Sequence, residues 1–297
     1  MFNRLARRIN KSFAYRSGSL CREILRILPE PRLKKKDLLG IPLVTMTGRD
    51  HLLMLEQTLF TIAVHWKLIP NVVAVSDGSL SLSQIQEKLS WWPAGLDVME
   101  WQELRDFHKE KGRFELAEYA EKHIFGRKLC VTLAMAEKTR VLWCDCDILF
   151  FSDFSALIDT RPHDGPLLHT AEDGIYSYDE RLMKGKLEHL YSRPPVNAGL
   201  VLCEGNLYDS CALRGLINDG MLHCMDFTEQ TIIAEAAFQV GSIAWNIEMI
   251  RMFDDDELTI RPTYLGKNWV ARHYVFPIRH LFWHDALAVR LGVGRSR

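Results

Sequence analysis

Short apolar runs alternate along this chain with longer stretches whose apolar positions recur at helical spacing. Residues 41–47 predict a strand and residues 49–66 an amphipathic helix. A second strand over 71–76 ends at Asp77-Gly78-Ser79, a helix covers 81–89, and a third strand covers 96–101. A helical stretch over 114–137, interrupted at Gly126, leads into a strand over 140–144. Further on, Asn197-Ala198-Gly199 stands just ahead of an apolar run that reads as a strand, and Asp226 to Gln230 open a helix over 231–238. No internal repeat or low-complexity tract appears. Alternation of this kind predicts an α/β fold: a mostly parallel central sheet flanked by helices. Such sheets bind ligands at the carboxyl ends of their strands, where Thr47-Gly48-Arg49, Asp77-Gly78 and Asp145-Cys146-Asp147 all fall.

The last of these segments carries the most chemistry. Val141-Leu142-Trp143-Cys144 breaks off into two aspartates one residue apart and then returns to Ile148-Leu149-Phe150. A buried strand tolerates carboxylates at its end far better than in its middle. Alternate residues of an extended segment point the same way, so Asp145 and Asp147 converge. Two converging carboxylates repel unless a cation lies between them, which suits a divalent metal with room left for phosphate oxygens. An acidic turn after a strand is the plainer reading. Cys144 and Cys146, facing away from the aspartates, read as core filler.

Composition adds bounds rather than a function. The 297 residues are 47% hydrophobic and 25% charged, ordinary globular values. No run of eighteen uncharged apolar residues predicts a spanning helix, and the start lacks the apolar core of a secretory signal. Seven cysteines in no framework spacing read as reduced core thiols of a cytoplasmic protein.

Charge is less ordinary. Residues 1–36 hold eleven Lys or Arg against Glu23 and Glu30, a net +9, and the whole chain is −1, so the remainder carries −10. Phe2, Leu5, Ile9 and Phe13 recur at helical spacing among these cations. Attachment to an anionic membrane surface and packing on the acidic body are both consistent with that pattern. Pro29-Glu30-Pro31 and Lys34-Lys35-Lys36 read as a linker, which divides the chain into a basic extension over 1–39 and a catalytic domain over 40–290. Deleting 1–36 removes none of the candidate site residues.

Toward the C-terminus His273 is followed six residues later by Arg279, a pairing that can join a metal ligand to a phosphate clamp. The order Asp145-x-Asp147, Asn197-Ala198-Gly199, Glu229-Gln230, His273 with Arg279 resembles the glycogenin-like, retaining glycosyltransferases of the GT-A, Rossmann-like fold, over residues 42–283. The resemblance implies that Met46, Thr47, Gly48 and Arg49 line the nucleotide, with Lys128 near the donor. It implies that Asp145 touches ribose and metal, that Asp147 grips the metal, and that His273 is the third protein ligand. Asn197, Ala198, Asp226, Glu229 and Gln230 would surround donor sugar and acceptor, the last three in catalytic roles. Phe276 and Arg279 would lie along the diphosphate. The chain departs from the family pattern at Glu229 (aspartate in the family), Phe276 (glycine), Arg279 (lysine) and Leu52 (often aromatic). The longer Glu229 side chain bears on sugar choice, and Arg279 adds a bidentate fork.

These residues together predict a metal-dependent glycosyltransferase that uses Mn²⁺ or Mg²⁺ and a nucleotide-diphospho-sugar. Its acceptor would be a glycan, lipid or protein, in cell-surface glycan or glycolipid assembly, without nucleic acid. The expected location is the cytoplasm or the cytoplasmic membrane face. A sugar nucleotidyltransferase would show a fuller glycine-rich loop than Thr47-Gly48-Arg49, and a metal hydrolase a wider histidine pattern. A non-catalytic sugar- or nucleotide-binding protein would have no need of the polar islands.

Overall fold

The chain opens on helix α1 (Phe2–Ile27) and then alternates: β1 (Leu38–Thr47), α2 (Leu52–His65), β2 (Ile69–Ser76), α3 (Leu82–Lys88) and β3 (Leu96–Glu100). Three helices follow, α4 (Trp101–Glu110), α5 (Phe114–Lys122) and α6 (Ile124–Lys138), ahead of β4 (Val141–Cys144) and β5 (Ile148–Phe150). The second half holds β6 (Leu167–Glu172), α7 (Glu180–Leu182), β7 (Val196–Glu204), α8 (Leu207–Ser210), α9 (Arg214–Met221) and α10 (Thr228–Val240). It closes with β8 (Ile243–Trp245), β9 (Ile250–Arg251), β10 (Ala271–His273) and α11 (Arg279–Arg290). This computed structural model describes residues 2–222, 225–254 and 256–294, with residues 2–10 described by their backbone alone.

Seven strands form the central sheet in the order β3-β2-β1-β4-β7-β6-β8. β3, β2, β1 and β4 run parallel, β7 is antiparallel to β4 and β6, and β8 returns parallel to β6. The strand period of two sorts each strand between two cores. Val44, Trp143 and Val201 face the layer of α6 and α10, while Leu43, Leu142 and Leu200 face α2. Cys130, Cys144 and Cys203 are buried and free, filling these cores as the sequence predicts.

Differences from the sequence reading are local. The break in the third helical stretch falls at His123, whose side chain accepts from the Phe125 N–H and caps α6. Gly126 lies inside α6, where a Cβ would stand 2.3 Å from the Tyr119 carbonyl oxygen, so the glycine serves close packing of two helices. The helix α4 has no counterpart in the sequence reading. On its inner face His108 is fully buried, 2.9 Å from the Cys130 carbonyl oxygen. Burial, opposed by that hydrogen bond, pulls the imidazole from 6.5 to about 4. Its folded value lies below its unfolded one, so the stability it contributes is present above pH 6.5 and lost as pH falls through 4. Urea unfolding between those limits is expected to lose about 3 kcal/mol from this group, and His108→Gln to flatten that acid limb.

A second, three-stranded sheet runs β5-β10-β9. It folds the C-terminal segment back over the end of β4. α11 follows it, and α1 lies on α11. Tyr15 stacks on His280 at 4.1 Å and donates to the Pro277 carbonyl at 2.9 Å. Ser17 meets the His284 ring at 3.0 Å, and the Arg22 guanidinium lies 5.3 Å from the Trp283 ring centre. Gly18 sits flat against His280, where a Cβ would stand 2.7 Å from its carbonyl oxygen. The sequence poses membrane docking and packing as alternatives for this helix; one of its faces is packed. The side chains of Phe2, Leu5 and Ile9 lie outside the described residues.

Candidate functional site

Parallel pairing brings the ends of β1, β2 and β4 to one edge of the sheet, as Val44↔Trp143 and Thr47↔Ser76 show. β7 is antiparallel to β4, with Cys144 opposite Leu200, so its beginning arrives at the same edge. Met46, Thr47, Gly48, Asp77, Lys128, Trp143, Asp145, Asp147 and Arg279 line an open cleft there. Gly48 has a steric reason: a Cβ would lie 2.0 Å from the Asp77 carboxylate.

His273 reaches the aspartates through the second sheet. It pairs with Ile148 across β10 and β5, and the Tyr274 N–H donates to the Asp147 carbonyl at 2.9 Å. This register joins residues 126 apart in sequence: His273 Nε2 is 3.0 Å from Asp147 Oδ1 and 3.9 Å from Asp145 Oδ2. One potential ligand atom from each of Asp145, Asp147 and His273 lies within 4.8 Å of the others. Gly199 lets the ring in, since a Cβ there would stand 2.3 Å from His273 Cε1.

The hydrogen bonds settle which imidazole nitrogen is free. The Gly199 N–H donates to Asn197 Oδ1 at 2.9 Å, which identifies that atom as the amide oxygen. His273 Nδ1 lies 3.0 Å from the same oxygen and must therefore donate to it. Nε2 is left as the ring atom that faces a carboxylate oxygen. Lone pair and carboxylate repel at that distance unless a proton or a cation lies between them. Two carboxylates and an oriented neutral imidazole suit a divalent metal, with Asn197 as the group that holds the ring.

Cations surround the pair. Arg279 donates to Asp147 Oδ2 at 2.7 Å from a half-exposed position at the start of α11. Burial works against ionisation of Asp147, but the His273 ring, when Nε2 carries a proton, and the Arg279 guanidinium outweigh it and hold the carboxyl below its usual range. Lys128 donates to Asp145 Oδ2 at 2.9 Å and stands 3.7 Å from Glu229 Oε1. Burial disfavours the ammonium, yet these two carboxylates hold its pKa above the usual value. For Glu229, burial dominates and pushes the carboxyl to about 7.

On the far side of the metal ligands Gln230 ties three segments together. Its Oε1 accepts from the Ala198 N–H at 3.3 Å, and its Nε2 donates to the Ser177 carbonyl at 2.9 Å and to Asp173 at 3.3 Å. Asn197 and Ala198 are thus gathered with Glu229 and Gln230 beside His273. Other predicted residues are exposed to solvent. Asp226 is exposed, and the residue before α10 is Phe227, so Asp226 does not cap that helix. Arg49 is exposed and joins two loops, its N–H on Ser79 Oγ at 2.9 Å. Phe276 is 82% exposed.

Three residues escaped the sequence reading as site residues. Asp77 stands at a strand end that was legible, though without a role. The Trp143 indole donates to Asp145 Oδ1 at 2.8 Å, and its position two residues before Asp145 was the available signal. Asp173 is a buried carboxylate in contact with Asn197 and Gln230, its pKa raised by burial, and nothing in the local sequence distinguishes it from other acids.

No protein-family model and no curated protein matches the chain. Solved structures do. Mouse xyloside xylosyltransferase 1 in its apo form aligns with TM-score 0.53 at 14% identity, over 80% of this chain and 98% of that one. The apo structure of WbbM, a bifunctional glycosyltransferase, aligns with TM-score 0.52 at 12% identity, over 83% of this chain and 47% of that one. Apo GlyE, a glycosyltransferase of Streptococcus pneumoniae TIGR4, aligns with TM-score 0.51 at 14% identity, over 86% of this chain and 62% of that one. The central sheet, the carboxylates at the end of β4 and these likenesses agree on the architecture: the chain has the GT-A glycosyltransferase fold.

Proposed function

We propose that this protein is a metal-dependent glycosyltransferase that takes its sugar from a nucleotide-diphospho-sugar. One observation carries the reading: Asp145, Asp147 and His273 converge, with Arg279 against them, at the mouth of a cleft at the strand ends. Nothing in the packing of the sheet requires such a cluster. Its use is to hold a divalent ion, Mn²⁺ by preference for the mixed oxygen and nitrogen set, against a diphosphate. The ion when bound supplies Lewis-acid stabilisation of the leaving phosphates.

The remaining chemistry belongs to the chain. Met46, Thr47, Gly48 and Asp77 offer a floor and polar edge for the nucleoside. Arg279 can turn from Asp147 to the phosphate oxygens as negative charge develops there. Lys128 holds Asp145 in place. Glu229, Gln230, Asn197 and Asp173, largely buried beside the metal ligands, are the polar groups we assign to reading the sugar hydroxyls. Glu229 lies 3.7 Å from a cation, so its carboxylate form is available to steady positive charge on the transferring sugar. Front-face transfer with retention would need no separate base in this site.

The test is a panel of nucleotide-sugars incubated with Mn²⁺ and followed for slow release of nucleoside diphosphate. One donor is expected to be hydrolysed and to raise the melting temperature, and EDTA to abolish both effects. Undiminished hydrolysis in EDTA would overturn the metal assignment, and no response to any donor would overturn the transferase reading.

A further inference from the structure

The helix α1 buries one face and leaves another bare. Ala14, Gly18 and Leu25 are buried on its inner side. Away from them Phe13, Leu20 and Ile27 are 58%, 62% and 81% exposed. Their seven-residue spacing lays them along one line of the helix, about 21 Å from end to end at 1.5 Å per residue. Single exposed apolar residues need no explanation, but three large ones in helical register do.

Charge identifies what covers them. The segment 1–36 carries +9 while the rest of the chain carries −10. Part of that positive charge is used internally: Lys11 pairs with Glu257 at 2.9 Å, and Lys36 donates to the Val64 and Trp66 carbonyls. Arg16, Arg26, Arg32, Lys34 and Lys35 remain exposed. A second copy meeting this face about a two-fold axis would bring the same positive segment and repel. An anionic bilayer accepts both features, the apolar line in the acyl boundary and the cations at the phosphate level.

We propose that α1 seats this protein on an anionic lipid surface through Phe13, Leu20 and Ile27. The inner face of the same helix bears on Pro277 and His280, beside Arg279, so the docked helix backs directly onto the segment that carries the phosphate clamp. The proposal does not rest on the transferase reading, and its test uses no turnover.

The full chain is sedimented with vesicles of phosphatidylglycerol and phosphatidylcholine, and with vesicles of phosphatidylcholine alone. It is expected to pellet with the anionic vesicles at low salt, to release as salt rises, and to ignore the neutral ones. The double variant Leu20→Glu, Ile27→Glu changes only exposed positions, so a thermal melt should match the parent. Its bound fraction should fall about tenfold or more. In Phe13→Trp the indole emission should shift to the blue on anionic vesicles. Three results would each overturn the proposal. These are binding unchanged in the double variant, equal or absent binding on both vesicle types, and a soluble dimer that the double variant dissociates.

Discussion

Asp147→Asn is expected to reduce metal-dependent donor hydrolysis by at least about a hundredfold while leaving the fold intact. The substitution conserves volume and removes the one charge that faces both His273 Nε2 at 3.0 Å and Arg279 at 2.7 Å. An amide cannot balance a divalent ion as a carboxylate does, so calorimetry should show Mn²⁺ binding lost together with nucleoside-diphosphate binding. The main-chain bond from Tyr274 to the Asp147 carbonyl does not depend on the side chain, which keeps β10 in register. Arg279 is half exposed and can turn to water, so the loss of stability should stay near about 1–2 kcal/mol. Wild-type turnover in this variant would remove Asp147 from the site.

The second large effect comes from a residue with no functional group. Gly199→Ala would place a Cβ 2.3 Å from His273 Cε1, with buried strand backbone on one side and the ring on the other. The ring must move, and the ligand atom with it. Metal affinity is expected to fall about 10–100-fold, as far as in His273→Ala. The other C-terminal histidines serve as controls with a clear structural rationale. His280 stacks on Tyr15 and His284 meets Ser17, so both face α1 and neither approaches the aspartates. Their alanine variants should melt earlier yet bind Mn²⁺ as the parent does. If calorimetry gave His284 the larger effect on Mn²⁺, the ligand register argued from β10 and β5 would be wrong.

The parts of this architecture that were legible in advance are those carried by short-range periodicity. The strand read over 71–76 is observed as Ile69–Ser76, the helix over 81–89 as Leu82–Lys88, and the strand over 96–101 as Leu96–Glu100. Each is marked by its own alternation or by a cap such as Ser81 with Gln84. The helix break was misplaced because a glycine reads as a breaker. Here Gly126 makes room for a neighbouring helix, and His123 caps the start of α6. The three-residue strands β5, β8 and β10 were not legible at all, because so short a run carries no period.

The site divides along the same line. The sequence alone determined that two carboxylates stand just past a strand end; they converge through a turn at Cys146 and Asp147 between β4 and β5, not along the extended segment their spacing suggests. It marked the small residues Ala198 and Gly199 but set them ahead of a strand, whereas they lie within β7. Only the tertiary structure decided what those features meet. Gly199 proved to be room for the His273 ring. Trp143 and Asp173 joined the site because a strand parity and a returning loop placed them there, and Phe276 is exposed to solvent. For α1, helical spacing marked Phe2, Leu5, Ile9 and Phe13 and charge marked a basic segment, but which face would be buried depended on α11, more than 250 residues away, where Tyr15 stacks on His280. Periodicity is a property of neighbours along the chain. Ligand sets and buried faces are properties of neighbours in space, and they exist only once the sheet has brought its strand ends to one edge.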